Sequence, residues 1–155
     1  MNGKQTARME DYLEAIYELK REKGVAKVSS IAERLGVTMP TVNSAVNRLS
    51  GEKLVKHDKY GDVELTAKGR EIGAEVSRRH EVLSLFLSQI LGMDEDAAQL
   101  DACEIEHSLS PDAAERLTRF VEFILEAPQE PQWLEKYSYY FAHGERPPEC
   151  YDKSG

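Results

Sequence analysis

Residues 28–49 read VSSIAERLGVTMPTVNSAVNRL. Two short amphipathic segments meet in this stretch at a single glycine. The first, SSIAERLG, opens with a capping-box pattern, Ser30 to Glu33. It turns Ile31, Ala32 and Leu35 to one side and stops at Gly36. The second follows at once. Thr38 can cap it, Pro40 fits its first turn, and Val42, Ala45, Val46 and Leu49 recur at helical spacing, with Gly51 near the end. Two short helices across a tight turn are a helix-turn-helix.

The flanks extend this reading. Upstream, MEDYLEAIYELKREKG places Met9, Tyr12, Leu13, Ile16 and Tyr17 on one helical face and stops at Gly24; a short β-prone VAKV follows. Downstream, Val55 and the alternation Val63-Glu64-Leu65 flank the turn signal Tyr60-Gly61-Asp62, which predicts a β-hairpin. Helix-turn-helix plus hairpin is a winged helix-turn-helix. The second helix carries Thr41, Asn43, Ser44, Asn47 and Arg48 away from its apolar side. Small polar side chains and one guanidinium suit base edges in a major groove. Lys56, His57 and Lys59 on the hairpin suit phosphates. The same shape serving only protein contacts is the plainer alternative.

Beyond residue 73 the chain reads as nearly all helix. EIGAEVSRRHEVLSLFLSQILG has a broad apolar face of Val76, Val82, Leu83, Phe86, Leu87 and Ile90, and Gly92 ends it. Asp94 can cap EDAAQLDACEIEHSL, and Ser110-Pro111-Asp112 starts DAAERLTRFVEFILEA, which Pro128 and Pro131 stop. Such broad faces on few helices predict burial against a second copy, and a symmetric dimer would present two recognition helices to a palindromic site. The expected architecture is mainly α: a winged helix-turn-helix domain (1–73), an all-helical dimerisation domain (74–127) and a C-terminal tail (128–155).

Charge divides along the same line. The chain of 155 residues has a net charge of −8, but residues 1–73 hold 13 Lys and Arg against 11 Asp and Glu, a net of +2. Residues 74–155 hold 7 against 17, a net of −10. The first half can approach phosphates and the second can hold cations. No apolar run has the roughly 18 residues of a membrane span, and no hydrophobic signal region opens the chain. Two distant cysteines do not read as a disulfide scaffold, so a reduced cytoplasmic protein without a membrane partner is expected.

Three ligand types stand together in DACEIEHSLS (101–110): Cys103, Glu106 and His107, at helical offsets of three and four. Asp11 and Glu14 are three apart on the first helix, and His80 precedes an apolar run. The plain readings are a buried small Cys103, a solvated face for Glu106 and His107, a solvated acidic face for Asp11 and Glu14, and a surface His80. The spacing alone leaves both readings open.

Five stretches, MEDYLEAIYEL, VSSIAERLGVTMPTVNSAVNRL, GDVELTAKG, RRHEVLSLFL and EIEHSLS, together resemble, in order, the diphtheria-toxin-repressor family of metal-dependent repressors. The likeness covers about residues 7–126. It is to the short manganese-sensor branch, which lacks the SH3-like domain. The resemblance implies a homodimer that binds double-stranded operator DNA when loaded with a divalent transition metal and represses metal-uptake genes. Fe(II) or Mn(II) is the implied metal, with Co(II), Ni(II) or Zn(II) as substitutes in vitro. The implied ligands are Asp11, Glu14, His80, Cys103, Glu106 and His107. The implied DNA contacts are Thr38, Pro40, Thr41 and Ser44, with Asn47 and Arg48 nearby and Lys59 on phosphate.

The chain departs from the family in informative places. Manganese sensors have a metal-bridging glutamate where Cys103 stands. Iron sensors have cysteine there but methionine where Asp11 stands. Ser84 and Gln99 occupy two positions of the iron sensors' ancillary site. The tail is rich in tyrosine and carries His143 and Cys150, which read as packing and a frayed end more readily than as a further metal site. Two other functions fit parts of the pattern. One is a winged-helix regulator sensing an organic ligand or an oxidant through Cys103. The other is a metallohydrolase, for which no HExxH, paired nucleophile and base, or phosphate loop is present.

Overall fold

Gly36, at φ +62°, makes the turn between the two central helices, a left-handed conformation that glycine adopts at little cost. The computed structural model describes residues 3–57, 62–127 and 131–147. The helices that meet at this turn are α2 (Val28–Leu35) and α3 (Met39–Gly51), preceded by α1 (Gly3–Lys23). The chain divides into two compact units, Met1–Arg78 and Arg79–Gly155.

In the first unit α3 buries Val42, Ala45, Val46 and Leu49, the four positions its periodicity marks. They share a core with Tyr12, Leu13, Ile16 and Leu19 of α1 and Ile31 and Ala32 of α2. Leu35, expected in that core, is only partly buried at its edge. The start of α2 differs from the reading of the sequence. The helix begins at Val28 with Lys27 as its N-cap and no side-chain cap bond, so Ser30 lies inside the first turn and forms no capping box. At α3, Thr38 is the N-cap, but its hydroxyl pairs with Thr41 Oγ1 at 2.8 Å instead of with a backbone amide.

The hairpin forms as expected, from β1 (Val55–His57) and β2 (Val63–Leu65), antiparallel with Val55 opposite Leu65 and His57 opposite Val63. Val55 and Val63 point into the core while Lys56 and Glu64 face water. The β-prone VAKV makes one bridge, Lys27 to Asp62, and then turns directly into α2. Helix α4 (Ala67–Leu85) leaves the hairpin through Thr66, whose hydroxyl accepts the Gly69 N–H at 3.1 Å. Two glycines let α4 settle. A Cβ at Gly69 would lie 2.0 Å from the Leu54 carbonyl oxygen, and one at Gly73 would lie 2.7 Å from that of Leu13.

The second unit contains the end of α4, a π-helical turn (Phe86–Ile90), α5 (Glu95–Glu106), α6 (Pro111–Leu125) and α7 (Gln132–His143). Asp94 caps α5 by accepting from the Asp96 and Ala97 amides, and Ser110 caps α6 by accepting from Ala113. Leu83 and Leu87 pack on Ala98 and Ala102; Ile90 packs with Val121, Ile124 and Leu134. Leu134 belongs to α7, so the stretch read as a tail contains a helix with an anchor in this core. The protein is mainly α, a winged helix-turn-helix followed by a helical domain. No helix among the described residues is long and apolar enough to cross a membrane.

Candidate metal centre and nucleic-acid interface

Helix α5 buries Ala98, Ala102 and Glu106, one residue every four. The third member of this stripe is a charge where the periodicity calls for a small apolar residue. Glu106 is 1% exposed. A carboxylate held so far from water needs partners that compensate its lost hydration. One imidazole is within hydrogen-bond reach and a second lies close by without bonding to it, which leaves Glu106 Oε1 buried and unsatisfied. Glu106 Oε2 lies 3.0 Å from His80 Nδ1, and Oε1 lies 3.3 Å from His107 Nε2. His80 comes from α4, 26 residues earlier, and His107 follows Glu106 at the end of α5.

The outer nitrogen of His80, Nε2, lies 2.7 Å from Gln99 Oε1. An acceptor there orients the ring and turns Nδ1 toward Glu106. The C-terminal end of α5 adds a negative dipole end beside the cluster. Carboxylate oxygen and imidazole nitrogen, backed by such an orienting partner, form a donor set that suits divalent first-row metals. The residues present therefore fit the implied group.

The solvated face expected for Glu106 in the plain reading is overturned, because its carboxylate is buried. His80 is half-buried and engaged on both nitrogens, so it is not a free surface histidine either. Cys103 sits one turn before Glu106 on α5 and is exposed, which removes the plain reading of it as a buried small hydrophobe. In the first unit, Asp11 and Glu14 are half-buried on α1, on either side of the core positions Tyr12 and Leu13. The sequence marks Gln99 only as a substituted ancillary position. A glutamine on a helix surface carries no mark that a histidine 19 residues away will adopt it. Ser84, the other such position, is buried.

On α3 the side opposite the core is open. Thr38, Pro40, Thr41, Asn43, Ser44 and Asn47 are all exposed, and Arg48 is half-buried with Nε 3.3 Å from Glu52. Lys56 is exposed on β1. Lys59, Tyr60, Gly61 and the His57 side chain lie outside the described residues, as do Pro128 and Cys150. His143 ends α7, where Nδ1 pairs with the Tyr139 carbonyl at 2.9 Å.

Two family profiles divide the chain between them. Residues 4–63 match the N-terminal DNA-binding domain of the iron-dependent repressors, and residues 66–135 match the metal-binding and dimerisation domain of the same proteins. The chain belongs to this family. The transcriptional regulator MntR of Bacillus subtilis is 41% identical over 121 residues, which are 78% of this chain and 84% of that one. The manganese regulator SloR is 35% identical, with a TM-score of 0.64 over 74% of the chain. A manganese-dependent transcriptional repressor solved with manganese is 30% identical, with a TM-score of 0.67 over 74% of the chain. The chain spans about half the length of these two solved proteins, 54% and 53%. The chain is thus a metal-dependent transcriptional repressor with a metal-binding domain.

Proposed function

We propose that this repressor binds palindromic operator DNA as a homodimer when it holds Fe(II) or Mn(II), and that it controls genes for metal uptake. It acts in the cytoplasm, by binding and not by catalysis. The observation that carries the reading is the buried Glu106 carboxylate between two imidazoles, in the domain that matches a metal-binding profile.

The proposed ligands are Asp11, Glu14, His80, Cys103, Glu106 and His107. Asp11 and Glu14 belong to the unit that carries α3; the other four belong to the unit matched as the dimerisation domain. A divalent cation supplies the positive charge that lets these acidic and neutral donors share one site. Without it the carboxylates repel one another. Ligands drawn from both units favour one arrangement of the recognition helices over the rest of the ensemble, and binding that favours one state raises its population. Metal and operator affinity then rise by the same factor. The open face of α3, with Thr38, Pro40, Thr41, Ser44, Asn47 and Arg48, supports its placement in the major groove. Lys59 is proposed to meet phosphate.

The test is operator binding titrated in turn with Mn(II), Fe(II), Co(II), Ni(II) and Zn(II), for wild type, Asp11→Ala and His107→Ala. Wild type should bind only with metal. Each variant should remain folded and dimeric and lose the response. Equal operator affinity with and without metal would overturn the proposal and favour a regulator that senses an organic ligand or oxidant. The exposed thiol of Cys103 is the observation that keeps this second reading in view.

A further inference from the structure

The base of the wing is fastened to α1 by a set of charges that DNA contact does not explain. Lys20, in the last turn of α1, places its ammonium 2.7 Å from Asp62 Oδ2 and also pairs with Glu64. The other oxygen of Asp62, Oδ1, accepts the Ala26 N–H at 2.8 Å. The next residue, Val63, donates its own N–H to the Ala26 carbonyl at 2.9 Å. The entry to β2 is therefore held from two sides, by the end of α1 and by the segment that leads into α2.

Two features separate this cluster from an ordinary surface ion pair. The side chains of Lys20 and Asp62 are only 18% and 24% exposed, so the pair is shielded from solvent. Lys20 also has two carboxylates as partners, which leaves it unsuited to a phosphate. Acids at the base of a DNA-facing hairpin repel phosphates. Asp62 and Glu64 thus work against binding unless they do something else for it.

We propose that Lys20 and Asp62 form a positioning clasp that sets the wing's approach to the DNA backbone and ties it to the placement of α1. Asp11 and Glu14 lie on the same helix; Glu14 precedes Lys20 by six residues, about 9 Å of helix. The clasp gives the wing a rigid connection to the helix that carries two of the proposed ligands. It rests on the metal-activated reading for that second role.

The test uses the full-length chain at saturating Mn(II), with operator affinity measured by fluorescence anisotropy across a salt series. Metal affinity without DNA is measured by calorimetry, and folding by circular dichroism. Asp62→Asn keeps an oxygen for the Ala26 amide but loses the charge. Electrostatics alone predicts tighter binding from this change. The clasp predicts the opposite, a loss of about tenfold, as when a hydrogen bond to a charged group is removed. Metal affinity in the absence of DNA should stay as in wild type. Lys20→Gln should weaken operator binding similarly with an unchanged salt slope, whereas a phosphate-contacting lysine would lower the slope by about one. Lys20→Arg should retain wild-type affinity.

Asp62→Asn binding as tightly as wild type, or more tightly, overturns the clasp. So does a lowered slope in Lys20→Gln. Wild type that shows no metal-activated binding overturns the underlying reading instead.

Discussion

Replacing Gly69 by alanine should loosen the joint between wing and α4, at a cost that follows from the geometry. The added Cβ would lie 2.0 Å from the Leu54 carbonyl oxygen and 2.9 Å from its carbon, where real Cβ atoms keep at least 3.0 Å. The carbonyl is not free to swing aside. It accepts the Thr66 N–H at 2.9 Å and the Thr66 hydroxyl at 3.1 Å, and that hydroxyl in turn accepts the Gly69 N–H.

Forced overpacking costs about 1–3 kcal/mol. Disturbing two hydrogen bonds adds about 0.5–1.5 kcal/mol each. Alanine returns up to about 1 kcal/mol through its better helix propensity. The net is a loss of about 3 kcal/mol, which in a unit of this size lowers Tm by about 12–24 °C. Gly51→Ala is the internal control. Its Cβ meets nothing within 4 Å at the exposed end of α3, so the propensity gain stands alone and Tm should rise by a few degrees. The assay is thermal unfolding of the metal-free protein followed by circular dichroism at the helical band. Gly69→Ala melting at or above the wild-type temperature would refute the reasoning.

Glu106→Gln keeps volume but loses the charge shared by His80 and His107. It should raise the metal concentration for half-maximal operator binding by more than about a hundredfold, beyond the range seen for supporting partners. A response within a few-fold of wild type would remove Glu106 from the site. Cys103→Glu should improve activation by Mn(II) relative to Co(II), since a soft thiolate disfavours manganese. The assay must be anaerobic, and an unchanged ratio would show that Cys103 is not a ligand. Burial pushes the Asp62 carboxyl up, but the bonds from Lys20 and the Ala26 amide outweigh it, so Asp62 titrates below its ordinary value of 3.8. Its contribution to stability is complete above that value and is lost as the pH falls through the lower folded one. Wild type should therefore lose more stability than Asp62→Asn as the pH falls below that ordinary value in an acid-unfolding series. Parallel curves would show that the pair contributes nothing to folding.

Local patterns settled much of this protein in advance. The α3 core positions Val42, Ala45, Val46 and Leu49 follow from a period of 3.6, which the backbone of one helix imposes without help from elsewhere. The caps at Asp94 and Ser110 and the hairpin pairing of residues 55–57 with 63–65 are local in the same way. Each depends on residues a few positions apart. The start of α2 is not legible in the same way, because Ser30 and Glu33 carry a pattern equally compatible with a helix that begins earlier, at Val28. The Lys27–Asp62 bridge lies just before that start, and its partner is 35 residues away.

What chemistry the side chains could perform was also legible. Asp, Glu, His and Cys at offsets of three and four share a helix face whatever surrounds it. Which of them is buried was not. Glu106 lies on a stripe with Ala98 and Ala102, so its helix turns it inward, and only the packing of α5 on α4 supplies His80 as a partner. Cys103, three residues earlier, is left exposed by the same rotation. Gln99 beside His80 and Lys20 beside Asp62 depend on contacts across 19 and 42 residues. Periodicity encodes which way a side chain points from its own helix. What it meets there depends on where another helix comes to rest, and that is fixed only when the whole unit packs.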